Sequence, residues 1–183
     1  MITLVTGIPR SGTSLMMQLC QAANDDIYCD AIRQEDINNP KGYFELEAVK
    51  GIVKDQSFLQ NAEGKTIKIV APLVTFIDLS FNYRVIFMLR DLDEVLSSQE
   101  KMLGKDQQDQ REKLKSVYQL HIEKSRKFLS ANHIPFLEME HRQLFLEPEQ
   151  SLKQLIDFCE WDVTVEQLKK VIDGSLYRNR KET

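Results

Sequence analysis

The chain has 183 residues, enough for one domain with a substantial core. Its 42% hydrophobic and 28% charged residues are the balance of an ordinary soluble globular protein. A net charge of -4 argues against a general nucleic-acid or membrane-surface binder, while leaving room for a local basic pocket. No apolar run reaches the roughly 18 residues of a membrane span. The first predicted strand starts at residue 2, so no signal peptide is expected ahead of it. Cys20, Cys29 and Cys159 are odd in number and lack metal-ligand spacing, as reduced thiols of a cytoplasmic protein would be.

In chain order, residues 2 to 6 read as a strand and 13 to 23 as a helix. Residues 24 to 45 are polar, with Asn-Pro and Lys-Gly turn signals, and read as a long loop. A helix is expected over 46 to 60, where Leu46, Val49, Ile52, Val53 and Phe58 fall near one face. Residues 66 to 72 alternate and stop at Pro72, as a strand would. The continuous apolar run at 84 to 89 fits a strand buried on both faces, the habit of parallel sheets. A helix over 91 to 103 carries acidic residues in its first turn, where the macrodipole favours them. A long helix is expected from 104 to about 132, with Leu114, Val117, Tyr118, Leu120 or His121, Phe128 and Leu129 as its apolar positions. A strand at 134 to 139 and two short helices, 148 to 160 and 164 to 173, precede a basic tail. Strands alternating with helices predict an α/β fold with a central, mostly parallel sheet flanked by helices. Ligands of such sheets sit at the carboxyl ends of the strands, where Gly7, Pro72 and Arg90 all lie.

The first of those ends reads "GIPRSGTSL". It fits the phosphate-loop pattern at Gly7, Gly12 and Ser14, but Thr13 stands where that pattern has lysine, and Arg10 sits inside the loop. Glycines let the backbone N–H groups turn inward, and the following helix adds its positive end, so the loop is an anion cradle. Arg10 adds a charged fork, and Thr13 and Ser14 add hydroxyls. A glycine turn with a helix cap is the plainer alternative. The second end reads "MLRDLDEVLSS", with Ser98 eight residues after Arg90. Alone, that pair could be a surface charge and a solvated serine.

Together the two stretches resemble the sulfotransferases that use 3′-phosphoadenosine 5′-phosphosulfate (PAPS), especially their bacterial branch. "IPRSGTS" is similar to the family's 5′-phosphosulfate loop, P-[KR]-S-G-[ST]-[ST], and "LRDLDEVLSS" to its 3′-phosphate motif, in which an Arg and a Ser at this spacing hold the 3′-phosphate. "NPKGYFE", "KTIKIVAP", "EKML" and "SLYRNR" also resemble bacterial members, so the likeness runs over nearly the whole chain. It implies a three-layer, P-loop-like fold in a single domain over 1–183. It implies a donor site formed by Pro9, Arg10, Ser11, Gly12, Thr13 and Ser14, with Arg90 and Ser98 on the 3′-phosphate. His141 stands where many members place a residue near the adenine, and Arg178 and Arg180 are further candidates for the 3′-phosphate. Trp161 reads as packing rather than an adenine platform.

The cytosolic branch has K-T-H-[LF]-P near its second strand, with a bridging-oxygen Lys and a His base. Lys68 and Pro72 match, but Val70 stands in place of the His. Other branches draw a carboxylate base from the loop after the first helix. Glu45 is the first candidate, followed by Glu47, Glu35 and Asp30, although an exposed loop charge would look the same. The resemblance therefore implies sulfuryl transfer from PAPS to a hydroxyl, or an amine, of a small-molecule or carbohydrate acceptor. Glu45, Lys68 and Arg10 would be the catalytic set, PAP the product, and no metal is expected. No obvious magnesium carboxylate follows the second strand, since Arg90 separates Leu89 from Asp91. Two alternatives stay open: a kinase-like nucleotide binder, against which Thr13 speaks, and a non-catalytic module that holds PAP or PAPS.

Overall fold

The computed structural model describes residues 1–33, 35, 36, 39–105 and 107–177. Four parallel strands form one sheet: β1 (Ile2–Gly7), β2 (Thr66–Lys68), β3 (Tyr83–Leu89) and β4 (Phe136–Glu140), in spatial order β2-β1-β3-β4. Leu4 lies opposite Ile67, Val5 opposite Ile86, and Met88 opposite Met139. Side chains alternate between faces along each strand. Leu4, Val85 and Phe87 enter one core, while Val5, Ile86 and Met88 enter the other.

The first face is covered by α2 (Leu92–Leu103), α3 (Arg111–Ala131) and the irregular segment before β2. The second is covered by α1 (Thr13–Ala22), α4 (Gln143–Leu146), α5 (Pro148–Cys159) and α6 (Val165–Lys169). This is the α/β arrangement that the alternation of strand and helix patterns predicts, in the three layers that the family resemblance implies. Trp161 packs against the second core and donates from Nε1 to Asp25 at 2.9 Å. No helix of the described residues is long and apolar enough to cross a membrane.

Several elements differ from their predicted form. Residues 46 to 60 are not one helix but two 3-10 turns, Glu47–Gly51 and Ser57–Ala62. The helical bonding ends with the Lys54 and Asp55 amides on Gly51 O, and the Asp55 side chain then accepts from Ser57 N, a local side-chain bond. Such local bonds compete with helix continuation. Val49, Ile52 and Phe58 still reach the core, but Val53 faces solvent.

The ladder of β2 ends at Lys68 rather than Pro72. The chain stays beside β1 all the same, since Ile69 N donates to Val5 O and Ala71 N to Gly7 O.

The long helix starts at Arg111, because Gly104 takes a left-handed conformation that closes α2. Its inward stripe is Tyr118, Ile122, Ser125 and Leu129, a 3.6-residue period that leaves Val117 and Leu120 outside. The last predicted helix is only Val165–Lys169, opened by a reciprocal cap between Thr164 and Gln167.

Candidate active site

A cleft of about 360 Å³ opens at the carboxyl ends of the strands. Its floor is the loop between β1 and α1. Gly7 (φ 148°) lies opposite Met88 in the register, and a Cβ there would come within 2.6 Å of Met88 O. Gly12 (φ 99°) is the N-cap of α1, and a Cβ there would fall 2.4 Å from His141 Cδ2. Neither position accepts a side chain.

Among the described residues no side chain caps the start of α1, whereas Asp91 caps α2 by accepting from Asp93 N and Glu94 N. The first amides of α1 are therefore left for an outside partner. Pro9, Arg10, Gly12, Thr13 and Ser14 line the cleft, and Ser11 lies fully buried just behind it. The Ser11 hydroxyl and His141 Nδ1 have no hydrogen-bond partner among the described residues. Uncapped amides, bare glycines and the orphaned Nδ1 of His141 form a cradle with the donors that a phosphorylated ligand needs.

The two sequence motifs meet at one end of this cleft. Arg10, in a left-handed conformation (φ 72°), donates from Nε to Ser98 Oγ at 3.0 Å. Arg90 reaches back from the end of β3 to donate from Nη1 to Arg10 O at 3.2 Å. Burial lowers the pKa of Arg10, and the neighbouring Arg90 lowers it further.

Behind Arg90 stands Glu94, one helical turn along, which accepts from Arg90 Nε at 3.0 Å and from the Tyr177 hydroxyl at 3.0 Å. Tyr177 also stacks on Phe145, with ring centroids 4.7 Å apart, and meets His141 edge-on. Burial, with Arg90 nearby, pushes His141 down to about 3, so its ring is neutral.

The other end of the cleft is built around Lys68. Its side chain is buried, and burial lowers its pKa to about 8 against the opposing pull of Glu45. Nζ donates to Tyr43 O and lies 3.5 Å from both Ser14 Oγ and Glu45 Oε1. Glu45 in turn accepts from Arg33 Nη1 at both carboxylate oxygens, at 3.0 and 3.1 Å. Asn39 donates to Ser14 Oγ at 3.0 Å.

Among the predicted carboxylates, Glu45 lines the cleft. Glu47 pairs with Lys50 on the surface, Glu35 is exposed, and Asp30 accepts from the amides of Ile32 and Glu47. Arg178 and Arg180 lie outside the described residues. Among the described residues no group of three or more His, Cys, Asp or Glu is arranged to hold a metal ion.

The sequence reading missed Arg33, Asn39, Glu94 and Tyr177. Glu94 alone had a usable signal, its position four residues after Arg90 at the start of a helix. Arg33 and Asn39 belong to a loop without periodicity, and only the fold shows what they touch.

Residues 2–183 match the family described as "Sulfotransferase domain". The chain belongs to that family and is a transferase of the sulfotransferase kind. Among solved structures it is similar to the sulfotransferase domain from the Synechococcus PCC 7002 olefin synthase. The TM-score is 0.56 at 13% identity, over 99% of this chain and 80% of that one, a likeness of fold. Comparison with curated proteins gives no match.

Removing Glu94 takes away the carboxylate that pairs with Arg90 Nε. Breaking a buried pair from one side typically destabilises by about 3–5 kcal/mol. Glu94→Ala is expected to lower the unfolding free energy measured by urea titration by an amount in that range, with the slope unchanged. Tyr177→Phe, which deletes one hydrogen bond, is expected to lower it by about 1 kcal/mol. Equal effects of the two changes would show that Glu94 is not the principal partner of Arg90.

Proposed function

We propose that the protein transfers a sulfuryl group from PAPS to a hydroxyl, or an amine, of a small-molecule or carbohydrate acceptor. The observation that carries this reading is the Arg10–Ser98 hydrogen bond, 88 residues apart in sequence. Through it the glycine loop and the second motif form one site.

The chemistry that bound PAPS supplies is a sulfuryl group on a 5′-phosphate leaving group. Arg90, Ser98 and Arg10 would hold the 3′-phosphate. The contact of Arg10 with Ser98 supports placing it there, rather than at the 5′ end where the sequence resemblance puts it. The first amides of α1, with Thr13, Ser14 and Lys68, would hold the 5′-phosphosulfate. His141, against Gly12 and Tyr177, would flank the nucleoside.

Glu45 would take the acceptor proton at a carboxylate oxygen as the acceptor oxygen bonds to sulfur. The bond from sulfur to the 5′-phosphate oxygen breaks, and its electron pair stays on that oxygen. Lys68 and the loop amides stabilise the charge that develops there. A base so placed contributes about 10²–10⁴-fold. Remote anchoring by Arg90 and Ser98 fixes the geometry in which the groups meet. The free Cys20, Cys29 and Cys159 agree with a cytoplasmic enzyme, and the motif resemblance with one of bacterial type.

The direct test is thermal unfolding with PAP against ADP plus magnesium. PAP should raise the midpoint, following RT ln(1 + [L]/Kd), with or without a chelator. ADP plus magnesium should not. Arg90→Ala should weaken PAP by about 1.5–3 kcal/mol, the worth of a charge-assisted contact. Stabilisation by ADP that depends on magnesium would favour a kinase-like protein instead.

Glu45→Gln keeps shape and removes basicity. PAP affinity should hold while turnover falls by at least about 10²-fold. Near-normal turnover would move the base elsewhere.

The low pKa of Lys68 has a kinetic signature. Its ammonium is present below pH 8 and is lost as pH rises through about 8. The ratio kcat/KM, which reports the free enzyme, should therefore fall on the alkaline side with that midpoint. Lys68→Arg retains its charge across the range, and its residual activity should show no such limb.

A further inference from the structure

We propose that the acceptor is itself an anion, a hydroxyl compound bearing a carboxylate or phosphate, and that Arg33 is the residue that recognises it. The proposal rests on the PAPS-dependent reading above and adds a substrate class to it.

The argument starts from the distribution of charge in the cleft. Arg10, Arg90 and Lys101 crowd the Ser98 end. At the other end Lys68 and Arg33 flank one carboxylate, Glu45. Lys68 is buried against Ser14 and Tyr43, where a donor's 5′ group would lie. Arg33 is the opposite case, with its side chain 44% exposed. It is thus the cation of this end that an entering molecule reaches. Once Lys68 serves the donor, Arg33 is the cation left for the acceptor, with Glu45 on one edge of its guanidinium and the Asp36 carboxylate on the hydroxyl of the Tyr43 ring it stacks on.

Arg33 is also held in one orientation. Its guanidinium lies 3.5 Å from the Tyr43 ring centroid, and the Tyr43 hydroxyl is tied to both Asp36 oxygens at 2.9 Å. Stacking pins the plane of the fork. Nη1 alone meets Glu45, at both oxygens. The opposite edge of the fork, Nε with Nη2, has the geometry that pairs with a planar carboxylate or a phosphate.

An anion on that edge places the rest of the acceptor beside Glu45, because one guanidinium touches both. The acceptor hydroxyl would then meet the base that takes its proton. An exposed Arg–Glu pair is worth little to stability, so a stacked and doubly bonded one at the mouth of a reaction cleft is better explained by recognition. Asp173, the other acid of the cleft wall, accepts from Ser175 N and Oγ.

The test compares matched acceptors in a PAP-release assay with PAPS as donor: 4-hydroxybenzoate and 3-hydroxybutanoate with their methyl esters, and glycerol 3-phosphate with glycerol. PAP binding to the same protein is measured first. The expected result is at least a tenfold higher kcat/KM for the charged member of one set, carboxylate or phosphate, which also identifies the anion. Arg33→Gln should raise KM for the charged member at least tenfold more than for its neutral counterpart, whatever change in kcat the two share through Glu45, and leave PAP affinity unchanged. Arg33→Lys, which keeps the charge without the fork, should restore part of the loss.

The proposal is overturned if the neutral members serve equally well, or if no anionic member accepts sulfate while PAP binds normally. It is also overturned if Arg33→Gln slows both members of a pair alike, which would make Arg33 a positioning residue for Glu45 only. Failure of PAP to bind the unaltered protein is a separate result that removes the donor reading, and this proposal with it.

Discussion

The cleft depends on how closely the loop after β1 can approach the end of β3. Gly7 and Met88 are register partners, and the space a Cβ would need at Gly7 is already taken by Met88 O and Ser11 Oγ. Because that Cβ is missing, the loop lies down on β3 instead of arching away from it. Arg10 O then comes within reach of Arg90 at the end of β3, and Arg10 Nε within reach of Ser98 on α2. Gly12 repeats the device one turn later, where the His141 ring occupies the place of its side chain. A site assembled from three strand ends thus rests on two missing methyl groups.

The same closeness forces a solution for charge. Arg10 and Arg90 are neighbouring cations, partly withdrawn from water, and each makes the other less favourable. Glu94 offsets this from behind, held by Tyr177 as well as by Arg90. The cost of burying an ion falls only when the counter-ion and its remaining lone pairs are satisfied. The segment after α6, which brings Tyr177 back over Phe145 and His141, therefore belongs to the site as much as the loop does. At the other end Lys68 has one carboxylate 3.5 Å away and a backbone carbonyl, and its depressed pKa shows that these compensate only in part.

What the sequence revealed and what it hid follow from the range of the interactions. The buried strand at 84 to 89, the glycine loop and the acid-capped α2 are each decided by contacts within a few residues or by burial on both faces. All three were legible. The segment from 46 to 60 has helical spacing, yet the Asp55 side chain bonds to Ser57 N and divides it into turns. Spacing alone does not register that competition. In α3 the inward stripe runs through Ser125, a polar residue at a core position, so Val117 and Leu120 were mistaken for part of it. For the site, Arg10, Lys68, Glu45, Arg90 and Ser98 could be named from motifs, and the fold brings them to one cleft. Arg33 and Asn39 were given no role, since their partners lie 12 and 25 residues away and even the recognisable stretch that Asn39 opens does not say what its side chain touches.

The two ends of the cleft differ in how finished they are. At the Ser98 end, the arginines, Glu94 and the aromatic trio already brace one another, so a phosphate arriving there would meet a rigid, cationic surface. At the Lys68 end, the same ammonium and hydroxyl that would meet a 5′ group now face the Tyr43 carbonyl and the Asn39 amide. A carbonyl oxygen is a weaker partner for an ammonium than an anionic oxygen, because only the latter adds charge to the hydrogen bond. Exchange of one for the other therefore favours the ligand. The contacts of Tyr43 with Lys68 hold the loop that carries Glu45 and Arg33 in the meantime. The loop that orients the proposed base is thus kept in place by the residue that the proposed donor would engage. In this reading, order at the acceptor end and occupancy at the donor end are coupled through Lys68.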